Sequence, residues 1–227
     1  MNHWGRALWI DSFEDVPELS VIPEPWEYNP SSWAQRIRVA LIATSAVFIA
    51  GYLGLYQIGL TNTVWDPIFG RQSELVIGSD ISHTMTGWFR IPDAVLGALA
   101  YLGDVIFALA GSTRRWQYRP WLVILFGLDV IPLGIVSAVL VFLQGAALGA
   151  WCTLCLVTAI ISLTLVVLAY DEVWTCFLYL RKVYQKSGSL QLLWKAFLGY
   201  PSQEAHEAGE ALIQQRTCHR EQRGENF

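Results

Sequence analysis

The chain has 227 residues, 54% hydrophobic and only 15% charged, with a formal net charge of -4. Soluble globular chains carry about 25% charged residues, so a disordered protein is excluded and a soluble enzyme is a poor fit. Four cysteines are too few for a disulfide-stapled secreted scaffold, and no basic stripe points to nucleic acid.

In chain order, residues 1–36 come first. Positions 1–35 hold six acidic residues and one basic residue, with Pro17, Pro23, Pro25 and Pro30 set against a long helix. They read as a cytoplasmic acidic, proline-rich arm, lying on a partner or on the membrane surface, or as a disordered tail.

Four apolar blocks follow, at 37–59, 93–111, 121–143 and 151–170. A helix crosses the hydrocarbon core with about 20 apolar residues. The predicted fold is therefore an all-α membrane protein, a four-transmembrane-helix bundle. The first block starts late, behind acidic residues, and no A-x-A site follows it, so it is not read as a secretory signal. Eleven tryptophans suit such a chain, because their amphipathic rings favour the headgroup level.

Lys and Arg set the orientation. With both termini cytoplasmic, 13 of the 15 basic residues lie inside and only Arg71 and Arg90 outside. The loop 60–92 then faces the periplasm or exterior of a cell inner (cytoplasmic) membrane. Trp65, Phe69, Trp88 and Phe89 stand in this loop beside Leu75, Val76 and Ile77. They read as a lid over the bundle mouth or as interfacial anchors. Ser79, Ser82, His83 and Thr84 offer hydrogen bonds to a ligand oxygen there.

Small residues in span two, among them Ala94, Gly97, Ala98 and Gly103, permit close helix approach. Asp93 follows Ile91-Pro92 and fits a helix start. Asp104 and Asp129 fall at similar depth in spans two and three, where an ionisable group is expensive. A shared proton, a partner's cation or a polar packing contact each accounts for them. Pro132 is expected to kink span three.

Residues 171–227 begin with Trp174, Phe177, Leu178 and Tyr179 mixed with Arg181, Lys182 and Lys186. They read as one or two interfacial amphipathic helices after the fourth span. The last 27 residues read as a frayed, polar cytoplasmic tail.

One motif carries chemistry. Cys152-x-x-Cys155 stands at the outer start of span four. The spacing suits a short disulfide and a redox pair, and equally suits two small buried residues in a helix. The expected division of labour puts Cys152 at the outer mouth, where the helix N-terminus favours its thiolate. Cys155 lies one turn deeper, against an apolar ligand. Zinc has too few ligands on that side, since His83 is the only external histidine.

These residues resemble the membrane domain of the vitamin K epoxide reductase family in its bacterial form. The resemblance covers roughly residues 37–170 and rests on Trp151-Cys152-x-x-Cys155, on Val76-Ile77-Gly78-Ser79, and on Ile91-Pro92-Asp93-Ala94-Val95-Leu96-Gly97. Tyr101 also suits the pattern. The resemblance implies a membrane thiol-disulfide oxidoreductase that couples the Cys pair to a quinone, ubiquinone or menaquinone. It puts catalysis on Cys152 and Cys155. Cofactor contacts fall to Ser79, His83, Trp88 and Tyr101, and a thioredoxin-like or other periplasmic thiol protein is the implied partner.

The chain departs from that family in one respect. The loop 60–92 has no cysteine, where the family carries a shuttle pair. By register Ser73 stands at the second shuttle position, and Trp65 or Asp66 near the first. The alternative function is therefore a non-catalytic accessory subunit of a larger respiratory or photosynthetic membrane complex.

Overall fold

The structure is a computed structural model that describes residues 28–79 and 91–223. The expected arm over residues 1–27 lies outside them. Among the described residues every regular element is helical. The order is α1 (Trp33–Gln57), α2 (Gln72–Ile77), α3 (Asp93–Leu109), α4 (Arg115–Tyr118), α5 (Pro120–Leu143), α6 (Thr153–Ser187), α7 (Leu190–Leu198) and α8 (Gln203–Arg223). A π-helical turn, Gln144–Leu148, extends α5.

Among the described residues three helices are long and apolar enough to cross a membrane: Trp33–Gln57, Pro120–Leu148 and Thr153–Ser187. They fit a multi-pass membrane protein. The expected second span is shorter. Its helix, α3, has 17 residues, about 25 Å of rise against a hydrocarbon core of about 30 Å.

The chain divides into two compact units. The first comprises residues 33–110 and 123–173. Its core draws on four helices: Ala43, Ala46 and Ala50 from α1, Tyr101 from α3, Phe126 and Val130 from α5, and Leu165 from α6. The alanines repeat every three or four residues, so one face of α1 is almost without side chains. Gly54 continues that face. A Cβ there would lie 2.8 Å from Val95 Cγ2, so α1 and the start of α3 approach as closely as their backbones permit.

At the other end of α3 the cap comes from α1. The buried Arg36 guanidinium donates to the Ala108 carbonyl at 2.7 Å and to the Ala110 carbonyl at 2.8 Å. These are carbonyls that a helix end leaves without intrahelical partners. Arg36→Met keeps the volume and removes both bonds. It is expected to cost about 3 kcal/mol and to lower the thermal midpoint in detergent, while an unchanged midpoint would contradict this role.

The second unit includes residues 111–122 and 174–227. Trp116 of α4 is buried and packs edge-to-face on Tyr179, with ring centroids 5.8 Å apart. Arg114 pairs with Glu210 at 2.9 Å, and Lys186 with Glu207 at 3.1 Å. Gly199 ends α7 at φ +88°, where a Cβ would collide with the Tyr118 carbonyl oxygen.

Two expectations need correction. The fourth span does not end as a helix at Tyr170: α6 runs on to Ser187. Asp171 and Glu172 mark a change of polarity, but acids do not break a helix. The break comes at Gly188, whose φ is +59°. The tail is not frayed over its described part either. Helix α8 buries Ala205, Ala208, Leu212 and Ile213 on one face, a stripe hidden in the sequence by its polar neighbours.

Candidate functional site

Cys152 and Cys155 are joined by a disulfide, with Cα atoms 5.2 Å apart. The local chain explains why. Gly149 takes φ +59° and ends the π-helical turn, and Cys152 then caps α6. Its carbonyl accepts the Leu156 N–H at 3.0 Å, and its Sγ accepts the Cys155 N–H at 3.1 Å. A sulfur held on a free helix N–H is favourably placed to carry negative charge once the bond is reduced. The Cys152 N–H is itself satisfied by the side chain of buried Gln144 at 3.3 Å.

The two sulfurs have different surroundings. Cys152 is 0% exposed and packs with Leu53, Val64, Val76, Ile77 and Ala150. The sequence placed it at an outer mouth, open to exchange. The structure instead encloses it, because the segment 64–77 lies over the start of α6. Cys155 is half-buried and lines a cavity of about 340 Å³. That cavity is walled by aliphatic side chains of α1, α3 and α5. Its polar lining is Gln57, Ser79, Asp93 and Gln144, then Tyr101, Ser137 and Thr158, with Asp129 on α5.

Asp66 holds the covering segment down. Its carboxylate accepts the Thr153 N–H at 2.7 Å and the Thr153 hydroxyl at 2.6 Å. It also accepts the N–H groups of Ile68 (2.9 Å) and Phe69 (2.8 Å), and the hydroxyl of buried Ser73. Burial works against the charge, but the hydrogen bonds from Ser73, Thr153, Phe69 and Ile68 outweigh it and hold this carboxyl well below the usual carboxylate range. Around this lock, the Trp65 N–H bonds the Tyr52 hydroxyl at 2.9 Å and the Trp151 N–H bonds Gln72 at 3.2 Å. Sequence reasoning reached Asp66 only as a register position. The residue it caps is 87 positions away, and no local signal links the two.

The other expected site residues are distributed as follows. Ser79 and Tyr101 both line the cavity. The Tyr101 hydroxyl is engaged with Ser162 Oγ at 2.6 Å and with the Thr158 carbonyl at 3.1 Å. Ser137 joins the same cluster at 3.0 Å from Ser162. His83 and Trp88 lie outside the described residues, as do Ser82 and Thr84. Asp93 is tied to the Gln57 amide, and Gln57 in turn accepts the Ala94 N–H at 3.0 Å. Asp104 is 0% exposed, and among the described residues neither of its carboxyl oxygens is hydrogen-bonded. Asp129 lies against Gly103, in the space a Cβ would fill.

A family model described as Vitamin K epoxide reductase family matches residues 37–170. Neither a curated protein nor a solved structure matches the chain. The matched region is more than half of the chain and contains the disulfide, the covering segment and the cavity. The chain belongs to the vitamin K epoxide reductase family.

Proposed function

From that membership we propose that the protein is a membrane thiol-disulfide oxidoreductase that passes electrons from a partner's thiols to a quinone. The observation that carries this is the asymmetry of the disulfide: one sulfur is sealed beneath a polar lock, and the other faces a long apolar cavity. The cavity fits a quinone's chemistry. Its aliphatic walls suit a flat ring and isoprenoid tail, and Ser79, Gln57 and Gln144 supply polar groups at the disulfide end. The quinone, once bound, accepts two electrons and two protons.

In the exchange step a thiolate of a thioredoxin-like partner attacks Cys152 Sγ. The Cys152–Cys155 bond breaks and Cys155 leaves as thiolate. A second partner thiolate then attacks the mixed disulfide. The partner departs oxidised, and the pair is left as dithiol. In the return step the dithiol gives up two electrons and two protons and the Cys152–Cys155 bond reforms. Cys155 faces the cavity for this step, and the α6 N-terminus stabilises the thiolates between the two steps. Exchange at Cys152 requires the segment 64–77 to lift, and so requires the Asp66 contacts with Thr153 to open. We further propose four crossings of a cell inner membrane, with α3 as the shortest, both termini cytoplasmic and the disulfide on the periplasmic side. The charge distribution supports that orientation.

A substitution into the cavity tests this reading. Gly97 lines the cavity, and a Cβ built there meets no atom within 4 Å. Gly97→Leu therefore starts its side chain in open space and extends it into ligand space. The expected result is a KM for ubiquinone or menaquinone raised at least about tenfold, with the disulfide intact. An unchanged KM would place the quinone elsewhere.

One observation favours a second reading. The loop 60–92 has no cysteine, and Ser73 and Asp66, near the places of the family's shuttle pair, are hydrogen-bonded to each other instead. An accessory subunit of a larger respiratory or photosynthetic complex would keep such a lock closed permanently. It would then show no thiol turnover and would purify within a large particle.

A further inference from the structure

The second unit carries a cationic groove that the redox chemistry does not use. On α6, Leu178, Arg181, Lys182 and Gln185 line it; on α8, Leu212, Gln215 and Arg216 do so, with His219. Each set follows the i, i+3, i+4, i+7 spacing of one helix face, so two complete stripes face one another. The groove has a volume of about 630 Å³.

Among the described residues no carboxylate pairs with Arg181, Lys182 or Arg216. Lys182 donates to the neutral Gln215 side chain at 2.8 Å, and Arg216 lies over the Tyr28 ring at 5.6 Å. Two acids of α8 are engaged elsewhere, Glu207 with Lys186 and Glu210 with Arg114. What remains is a set of donors, guanidinium, ammonium and amide, over a leucine floor.

The level in the chain also matters. Trp174 and Phe177 are exposed and stacked, with centroids 5.9 Å apart, as aromatic residues are at a membrane interface. Arg181 and Lys182 follow about one turn later. Helix α7 exposes Leu190, Trp194 and Leu198, an apolar face suited to lying in the interface plane.

We propose that this groove is a binding site for the phosphate headgroup of an anionic phospholipid. Arg181, Lys182 and Arg216 take the phosphate oxygens, Gln185 and Gln215 the headgroup hydroxyls, and the leucines the first methylenes of the lipid. Basic pockets beside transmembrane helices are suited to such headgroups. The site is independent of the Cys pair.

The test is native mass spectrometry of the full chain in mild detergent, titrated with phosphatidylglycerol, with phosphatidylcholine and with inorganic phosphate. The expected result is a phosphatidylglycerol adduct at least about tenfold tighter than the phosphatidylcholine adduct. Arg181→Gln/Lys182→Gln/Arg216→Gln should abolish that preference, and Lys182→Gln alone should weaken it severalfold with the thermal midpoint unchanged. Equal retention of the two lipids, or a preference unaltered in both variants, would overturn the proposal. So would inorganic phosphate binding with no preference between the lipids, which would assign the groove to a soluble anion.

Discussion

Replacing Cys155 by serine is expected to abolish thiol-to-quinone turnover and to leave a chain that traps its partner. In Cys155→Ser the Cys152 thiolate attacks the sulfur of a single-cysteine thioredoxin-like partner activated as its thionitrobenzoate disulfide; thionitrobenzoate leaves, no second sulfur resolves the new bond, and the mixed disulfide accumulates. Cys152→Ser is expected to lose turnover equally and to trap no protein, because Cys155 faces the cavity. Non-reducing gels after reaction with that activated partner distinguish the two. Equal trapping by both variants would contradict the assignment of separate roles to the sulfurs.

The second large effect is expected at Asp66. Asp66→Ala removes the acceptor for Thr153, Ile68, Phe69 and Ser73 at once. Hydrogen bonds to a charged group are worth about 1.5–3 kcal/mol each when buried. Asp66 is only half-buried, so the whole set is expected to contribute about 2–3 kcal/mol. The more telling change is access. With the covering segment released, Cys152 in the reduced protein should react with a membrane-impermeant maleimide at least about tenfold faster, the effect of an opening made easier by about 1.4 kcal/mol. Cys155 should change little, because it is reached through the cavity. An unaltered Cys152 rate would mean that something other than Asp66 seals the disulfide.

The pH dependence of the lock follows from the same carboxylate. Its folded-state pKa lies below the unfolded value of about 3.9. A depressed acid stabilises the fold above its unfolded pKa and loses that contribution as pH falls through the folded value. The lock should therefore hold across pH 5 to 8 and release only in strong acid. Maleimide labelling of Cys152, corrected for thiolate fraction, should be flat over that range. A rise in corrected rate between pH 7 and 5 would contradict it.

Much of the bundle was legible because hydrophobic burial writes itself into long apolar blocks. Helices α1 and α5 begin and end within a few residues of the expected spans. The Cys-x-x-Cys pair was legible from spacing and from its place at a helix start. The end of α6 was not, since the charges at Asp171 and Glu172 signal a change of solvent and not a change of backbone. The docked tail was missed because its buried face is built of Ala205, Ala208, Leu212 and Ile213 among polar residues. The lock at Asp66 was hidden for a topological reason. It joins a loop acid to Thr153, 87 residues later, and only the folded chain brings them together. The enclosure of Cys152 follows from that contact, so it was hidden too.

The most direct test of thiol-to-quinone coupling is the redox state of the pair itself. The full chain in lipid nanodiscs is reduced, cleared of reductant without exposure to oxygen, and mass-labelled with maleimide before and after adding menaquinone or ubiquinone. The account predicts that Cys152 and Cys155 take up two labels before quinone and none after it, with quinol appearing in equal amount. Two labels before and after, with no quinol formed, would contradict it and leave the fold as a scaffold for partners.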